Sequence, residues 1–203
     1  MVSRECRFLS ITKSGVIVVC LVVSFFGCVS TEPITLNLPY ASVATNRVDQ
    51  SEKSGSCRVV IGAVKDERAN RETLGLSGAR PLVAEHVTEW IQSRLENLSR
   101  DAYTLQTAAV DNTPAPSDVI GEVGIGRIYA RTLTMTFEAV VTITGRFRSG
   151  EDAVTERQYR GSSTKVNWMG GNWEIVGILN EALDMALSQM GEDLKTLCLR
   201  NGL

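Results

Sequence analysis

Between Leu133 and Phe147 the apolar side chains fall on alternate positions: Leu133, Met135, Phe137, Ala139, Val141, Ile143 and Phe147. Thr134, Thr136, Glu138, Thr142, Thr144 and Arg146 mostly fill the places between. Side chains two apart on an extended chain share a face, so the run demands a strand with one dry side and one wet side. A helix would scatter the same residues around its axis. The preceding stretch, 119–131, alternates through Val119, Gly121, Val123 and Ile125, and after the turn RSGED (148–152) the chain returns at 153–164 as a more polar strand. Long strands in succession with short connections predict an antiparallel meander.

The rest of the chain supplies the layer that covers the dry side. RVVIGAV (58–64) has the length and valine content of a buried strand, and KDERANRETLG (65–75) reads as a charged loop. Pro81 suits the first turn of a helix, having no N–H to lose, and Val83, Val87, Trp90, Ile91, Leu95 and Leu98 then follow at helical spacing. Tyr103, Leu105 and Thr107 mark a further half-buried strand, and DNTPAPSD (111–118) is a Pro-rich turn. A final helix carries Ile175, Ile178, Leu179, Leu183, Ala186, Leu187, Met190, Leu194 and Leu197 on one face. The predicted order is β-α-β-β-β-β-α. It implies an α+β fold, an antiparallel sheet of about four to five strands with two helices packed on one face. At 203 residues, 43% hydrophobic and 22% charged, the chain fits one globular domain.

The first 28 residues belong to a different solvent. Arg4, Arg7 and Lys13 precede a run from Gly15 to Phe26 that is apolar apart from Ser24. This has the length of a secretory signal and is short of the roughly 20 residues that a spanning helix needs. Phe25-Phe26-Gly27-Cys28 resembles a lipobox, in which a small residue precedes the cysteine that is lipidated and becomes residue one. The usual Leu three places before the cysteine is Phe25 here. A cleaved secretory signal with an incidental cysteine, or an uncleaved anchor, are the alternatives. Two or more acyl chains on Cys28 would hold the protein firmly on a membrane. Val29 and Ser30 lack the Asp that retains enterobacterial lipoproteins on the inner membrane, so the expected place is the outer membrane, with the domain facing the periplasm. The chain therefore divides into 1–27 (signal peptide), 28–56 (lipidated N-terminus and a tether, polar from Ala41 to Ser56) and 57–203 (one periplasmic domain).

Cys6 and Cys20 fall within the signal, and Cys28 is assigned to lipid. Cys57 and Cys198 remain, either a disulfide formed in an oxidising compartment or two separate thiols. Two cysteines and one histidine do not compose a metal site, and no cofactor is expected. The formal net charge is -2, and the part beyond residue 27 is more acidic still, which argues against nucleic acid.

The lipid-cysteine start, ITLNLP (34–39), a strand ending in Asp66 and Arg68, and Leu74-Gly75 together resemble the YajG family of uncharacterised bacterial lipoproteins. That resemblance implies a lipid-anchored, periplasm-facing domain and brings no catalytic residues with it.

Four features are candidates for chemistry. His86, the only histidine, is read as a boundary residue packing on Trp90. Asp66 and Arg68 would form either a small-ligand clamp or a pair that ties its own loop. EVGIGRI, with Gly121, Gly124 and Gly126, leads into a strand and not a helix, so its glycines imply bulges or close contacts and not a phosphate loop. Trp168 and Trp173 flank MGGN and form a candidate partner or ligand surface. The expectation is a non-enzymatic envelope lipoprotein with a structural or accessory role through contact with an envelope protein. The rival is a periplasmic binding module for a lipid or cell-wall fragment.

Overall fold

The structure, a computed structural model, describes residues 31–39, 57–98, 103–107, 118–149 and 153–201. Nine strands form one mixed sheet: β1 (Ile34–Thr35), β2 (Cys57–Ile61), β3 (Lys65–Asp66), β4 (Gly75–Ser77), β5 (Arg80–Val83), β6 (Tyr103–Thr107), β7 (Val119–Thr132), β8 (Thr136–Ser149) and β9 (Thr155–Val166). Among the described residues two helices accompany them, α1 (Val87–Glu96) and α2 (Asn172–Asn201).

β7 organises the sheet. One of its edges pairs antiparallel with β8, which pairs antiparallel with β9. Its other edge is taken in turn by β2, β3 and β4, all parallel to it, at Val119–Gly121, Gly124–Ile125 and Ala130–Thr132. The chain from Cys57 to Ser77 thus runs beside β7 in three steps. β6 extends the sheet beyond β2, parallel to it; β5 and then β1 extend it beyond β4.

The α+β expectation holds, but the antiparallel sheet of four to five strands is replaced by this mixed sheet of nine. The extra strands are two to four residues long, too short for alternation to register, and β3 and β4 lie partly in what reads as a charged loop. Parallel pairing needs a crossover, and α1 with its flanking chain supplies it between β2 and β6.

The first helix also starts later than Pro81. Gly78, at φ 60°, is the first of two residues linking β4 to β5, a position that favours glycine in a tight hairpin. Pro81 is drawn into β5 ahead of Leu82 and Val83, the residues that pair with β1. Helix α1 begins after His86, whose left-handed φ of 56° turns the chain out of the strand and whose carbonyl accepts the Trp90 N–H at 2.9 Å.

Residues 31–39, expected within the tether, join the fold. Leu36 and Leu38 are buried in the core, and the Leu36 N–H donates to the Val83 carbonyl at 2.8 Å. The stretch of 41–56 read as a polar tether and the stretch of 1–27 read as a signal peptide lie outside the described residues.

Helix α2 lies on β8 and β9 and buries Ile175, Ile178, Leu179, Ala182, Leu183, Ala186, Leu187, Met190 and Leu194. Opposite them are Val123, Ile125, Phe137, Ala139, Val141, Ile143 and Phe147, the dry face announced by the alternation. The seam with β9 is close because Gly161 has no side chain. A methyl group built there would overlap the Ala182 carbonyl oxygen, with the carbonyl carbon at 2.8 Å and Ala186 N at 2.9 Å. Hydrogen bonds flank this contact: Tyr159 Oη to Asp193 at 2.9 Å and Ser163 Oγ to Glu181 at 2.8 Å. Helix α1 joins α2 through Trp90 Nε1, which donates to Asn180 Oδ1 at 2.9 Å, and through Arg94–Asp184 at 2.9 Å.

Candidate functional site

Asp66 and Arg68 meet, and they meet each other. Arg68 Nε and Nη2 donate to the two Asp66 oxygens at 2.9 and 2.8 Å, and the Arg68 backbone N–H adds a third bond at 3.2 Å. These contacts hold the Asp66 carboxyl below its ordinary pKa, the Arg68 side-chain hydrogen bond being the largest cause. Next to it, Glu67 lies over Gly124 and takes Arg146 at 2.8 and 3.2 Å, which lowers its pKa. Arg146 also reaches Glu156 on β9, and Lys65 pairs with Glu122 at 2.8 Å. Lys65 and Glu67 thus fasten this segment to the wet face of the β7–β9 ladder, while Asp66 and Arg68 tie each other. Arg68 Nη1 is buried without a hydrogen-bond partner.

Cys57 and Cys198 are joined in a disulfide, with Cα atoms 5.5 Å apart. It ties the first residue of β2 to the last turn of α2. Beside it Arg58 Nε donates to both oxygens of the buried Asp118 at 3.0 Å, linking the starts of β2 and β7. His86 stands ahead of α1, half-exposed, with Nδ1 at 3.5 Å from Glu89. Among the described residues no group of three or more His, Cys, Asp or Glu side chains could hold a metal ion. No described helix is long and apolar enough to cross a membrane. Cys28 lies outside the described residues.

Trp168 and Trp173 belong to an exposed apolar tip. Trp168 is 83% exposed, Met169 80% and Trp173 66%. Across from them, in the β7–β8 turn, Met135 is 69% exposed and Leu133 is also open to solvent, as is Val166 at the end of β9. The two segments are stitched by the Asn167 N–H, which donates to the Met135 carbonyl at 2.9 Å.

The loop that displays the tryptophans is built. Glu174, in the first turn of α2, accepts backbone N–H groups from Trp168 and Met169 at 3.3 Å and from Gly171 at 3.1 Å. A carboxylate reaching back to N–H groups ahead of its own helix is the usual remedy for the unpaired donors there. Asn167 Oδ1 accepts the Gly170 N–H at 2.8 Å, and Gly170 takes the left-handed φ of 68° that the turn requires.

Leu133 and Met135 read, by alternation, as members of the buried face; the structure places them in the turn instead. The sequence there, TLTMT, has no Gly, Pro, Asn or Asp to announce a reversal. The one available signal is arithmetic. Two adjacent strands of 14 residues must reverse near Leu133 for Val119–Thr132 to lie against Thr136–Ser149.

No protein-family model matches the chain, and no curated protein matches it. Among solved structures, a Xanthomonas campestris protein of the DUF330 family is similar over 85% of this chain and 95% of its own, at 11% identity and a TM-score of 0.45. A minor lipoprotein from Acinetobacter baumannii is similar over 68% and 92%, at 8% identity and a TM-score of 0.42. A lipoprotein from Neisseria meningitidis is similar over 67% and 99%, at 12% identity and a TM-score of 0.36.

Proposed function

We propose that this chain is a lipid-anchored lipoprotein of the bacterial cell envelope. Acyl chains on Cys28 hold it on the outer membrane with its domain facing the periplasm, and it acts through protein–protein contact and not catalysis. The observation that carries this reading is the disposition of the cysteines. Cys57 and Cys198 take each other, as suits an oxidising compartment, and Cys28 alone remains beyond the signal, in a lipobox-like setting.

A structural role is supported by the use of charge in the fold. Arg68 and Asp118, the buried charged side chains among the described residues, are each engaged by an ion-pair partner. The only histidine, half-exposed, faces Glu89 at 3.5 Å.

Membrane fractionation of wild type beside Cys28→Ser, with intact-mass measurement, tests the anchor. Wild type is expected to sediment with membranes and carry the mass of its acyl chains, and the variant to remain unprocessed. A variant processed and sedimenting like wild type would overturn the reading. The exposed Trp168–Trp173 loop favours a second reading, a binding module for a lipid or cell-wall fragment. Pull-down from crosslinked envelopes separates the two: a stable protein partner supports the first, and co-purified lipid or glycan the second.

A further inference from the structure

The apolar tip and the point where the chain enters the fold occupy the same end of the sheet. β7 ends at Thr132, and β4, parallel to it, ends opposite at Ser77, with Thr132 Oγ1 donating to Ser77 Oγ at 2.9 Å. β5 therefore starts at this end, and β1, parallel to β5, starts here too. Arg80, at the start of β5, fixes the entering chain by donating from Nε to the Glu32 carbonyl at 3.0 Å. β8 starts at this end and β9 finishes at it, which brings Leu133, Met135, Val166, Trp168, Met169 and Trp173 to the same side.

On the proposed anchoring at Cys28, three residues separate the lipid from Thr31, and three residues span at most about 10 Å however they run. An anchored domain with so short a link must turn this end toward the bilayer. We infer that the tip formed by the β7–β8 turn and the β9–α2 loop is a second membrane contact. Its tryptophans and methionines enter the headgroup region of the membrane that holds the acyl chains.

The chemistry of the tip fits that occupant. Tryptophan concentrates at the membrane–water boundary, where its ring is apolar and its N–H can stay wet. Contiguous apolar surface held open on a rigid loop marks a contact site more than an accident of folding. Charged groups on the elements that carry the tip are paired, Lys165 with Glu181 and Arg131 with Glu138, and Glu174 is turned onto backbone N–H groups. Since two or more acyl chains already give stable anchoring, the tip contributes orientation more than affinity. A single tether leaves the domain free to swivel, whereas a tether plus a wedge fixes which face it presents to the periplasm.

The chain carries its own reference for a test. Trp90 is fully buried between α1 and the core, so only Trp168 and Trp173 can meet lipid. The mature lipoprotein is reconstituted into phosphatidylethanolamine–phosphatidylglycerol vesicles whose acyl chains carry bromine, and its tryptophan emission is compared with that in plain vesicles. Bromine is expected to lower wild-type emission about twofold, given two interfacial rings of three. In the Trp168→Phe/Trp173→Phe variant the remaining Trp90 emission should be unchanged by bromine, and its intensity reports that the domain is folded. Equal wild-type emission in both vesicles, with quenching by aqueous iodide, would overturn the tip contact while leaving the anchor standing. Absence of acyl mass on Cys28 would overturn the anchor, and the membrane-facing assignment with it.

Discussion

Replacing Gly161 with alanine drives a methyl group into the backbone of α2. The new carbon would overlap the Ala182 carbonyl oxygen, with the carbonyl carbon at 2.8 Å and Ala186 N at 2.9 Å, where ordinary contacts begin at 3.4 Å. Neither obstacle is a side chain that can rotate away, so helix and strand must separate by about 1 Å or more, enough to forfeit much of the dispersion across the seam. The side chains affected are Leu179, Ala182, Leu183 and Ala186, all fully buried. Overpacking of this kind costs about 1–3 kcal/mol, and a clash of backbone on both sides belongs at the upper end, about 3 kcal/mol. Gly177 lies on the same helix with nothing within 4 Å of a built Cβ, so Gly177→Ala should instead gain about 0.5–1 kcal/mol from helix propensity. Urea unfolding of the oxidised protein reads both variants as shifts of midpoint in opposite directions at an unchanged slope. A Gly161→Ala midpoint at or above that of wild type would refute the close seam and the seating of α2 on β9.

Further outcomes follow from the fastenings elsewhere in the molecule. The disulfide closes a separation of 141 residues, for which loop entropy gives up to about 5 kcal/mol, so a Cys57→Ser/Cys198→Ser variant should lose about 2–5 kcal/mol by urea unfolding. Asn180→Leu leaves the buried Trp90 N–H unpaired and should cost about 1–3 kcal/mol, with a change in Trp90 emission in the native baseline. The Asp66 carboxyl has its pKa lowered in the fold from an ordinary 3.8. Its stabilising pair is complete above that value and is lost as pH falls through the lower, folded pKa. Asp66→Asn should therefore lower stability at neutral pH and flatten the acid limb of the stability–pH profile below about pH 4; an acid limb identical to that of wild type would remove Asp66 from the account.

The long elements were legible because they are long. Fourteen-residue strands and a thirty-residue helix repeat their period often enough for Phe137 to Phe147 and Ile175 to Leu194 to declare their faces. The parallel half of the sheet was not legible, since β2 reads as a buried strand whichever neighbour it takes. β3 is two residues whose identities, Lys65 and Asp66, suit a loop equally well. Pro81 misled because a helix start and the opening of a short strand ask the same thing of it, the absence of an N–H. The Ser77-Gly78-Ala79-Arg80 hairpin was the cue that decides between them.

At the candidate site, the tryptophans stood out by residue type, whereas Met135 and Leu133 were hidden by continuing the alternation of the strand they follow. The gathering of both segments at the chain's point of entry could not be read without β1, whose place beside β5 depends on pairing and not on pattern.

That place also sets the order in which a pull on the chain is felt. β1 pairs with β5 over only two residues, with Leu36 and Leu38 tucked in behind. A sustained pull on the chain ahead of Thr31 meets this short strand before it meets β2. While β1 stays seated, the load stops at this strand; if it peels away, the next described strand is β2, which opens at Cys57. There the pull reaches the disulfide, which passes the load into α2. The first strand would then act as a mechanical fuse, yielding before the disulfide-tied body of the fold is loaded.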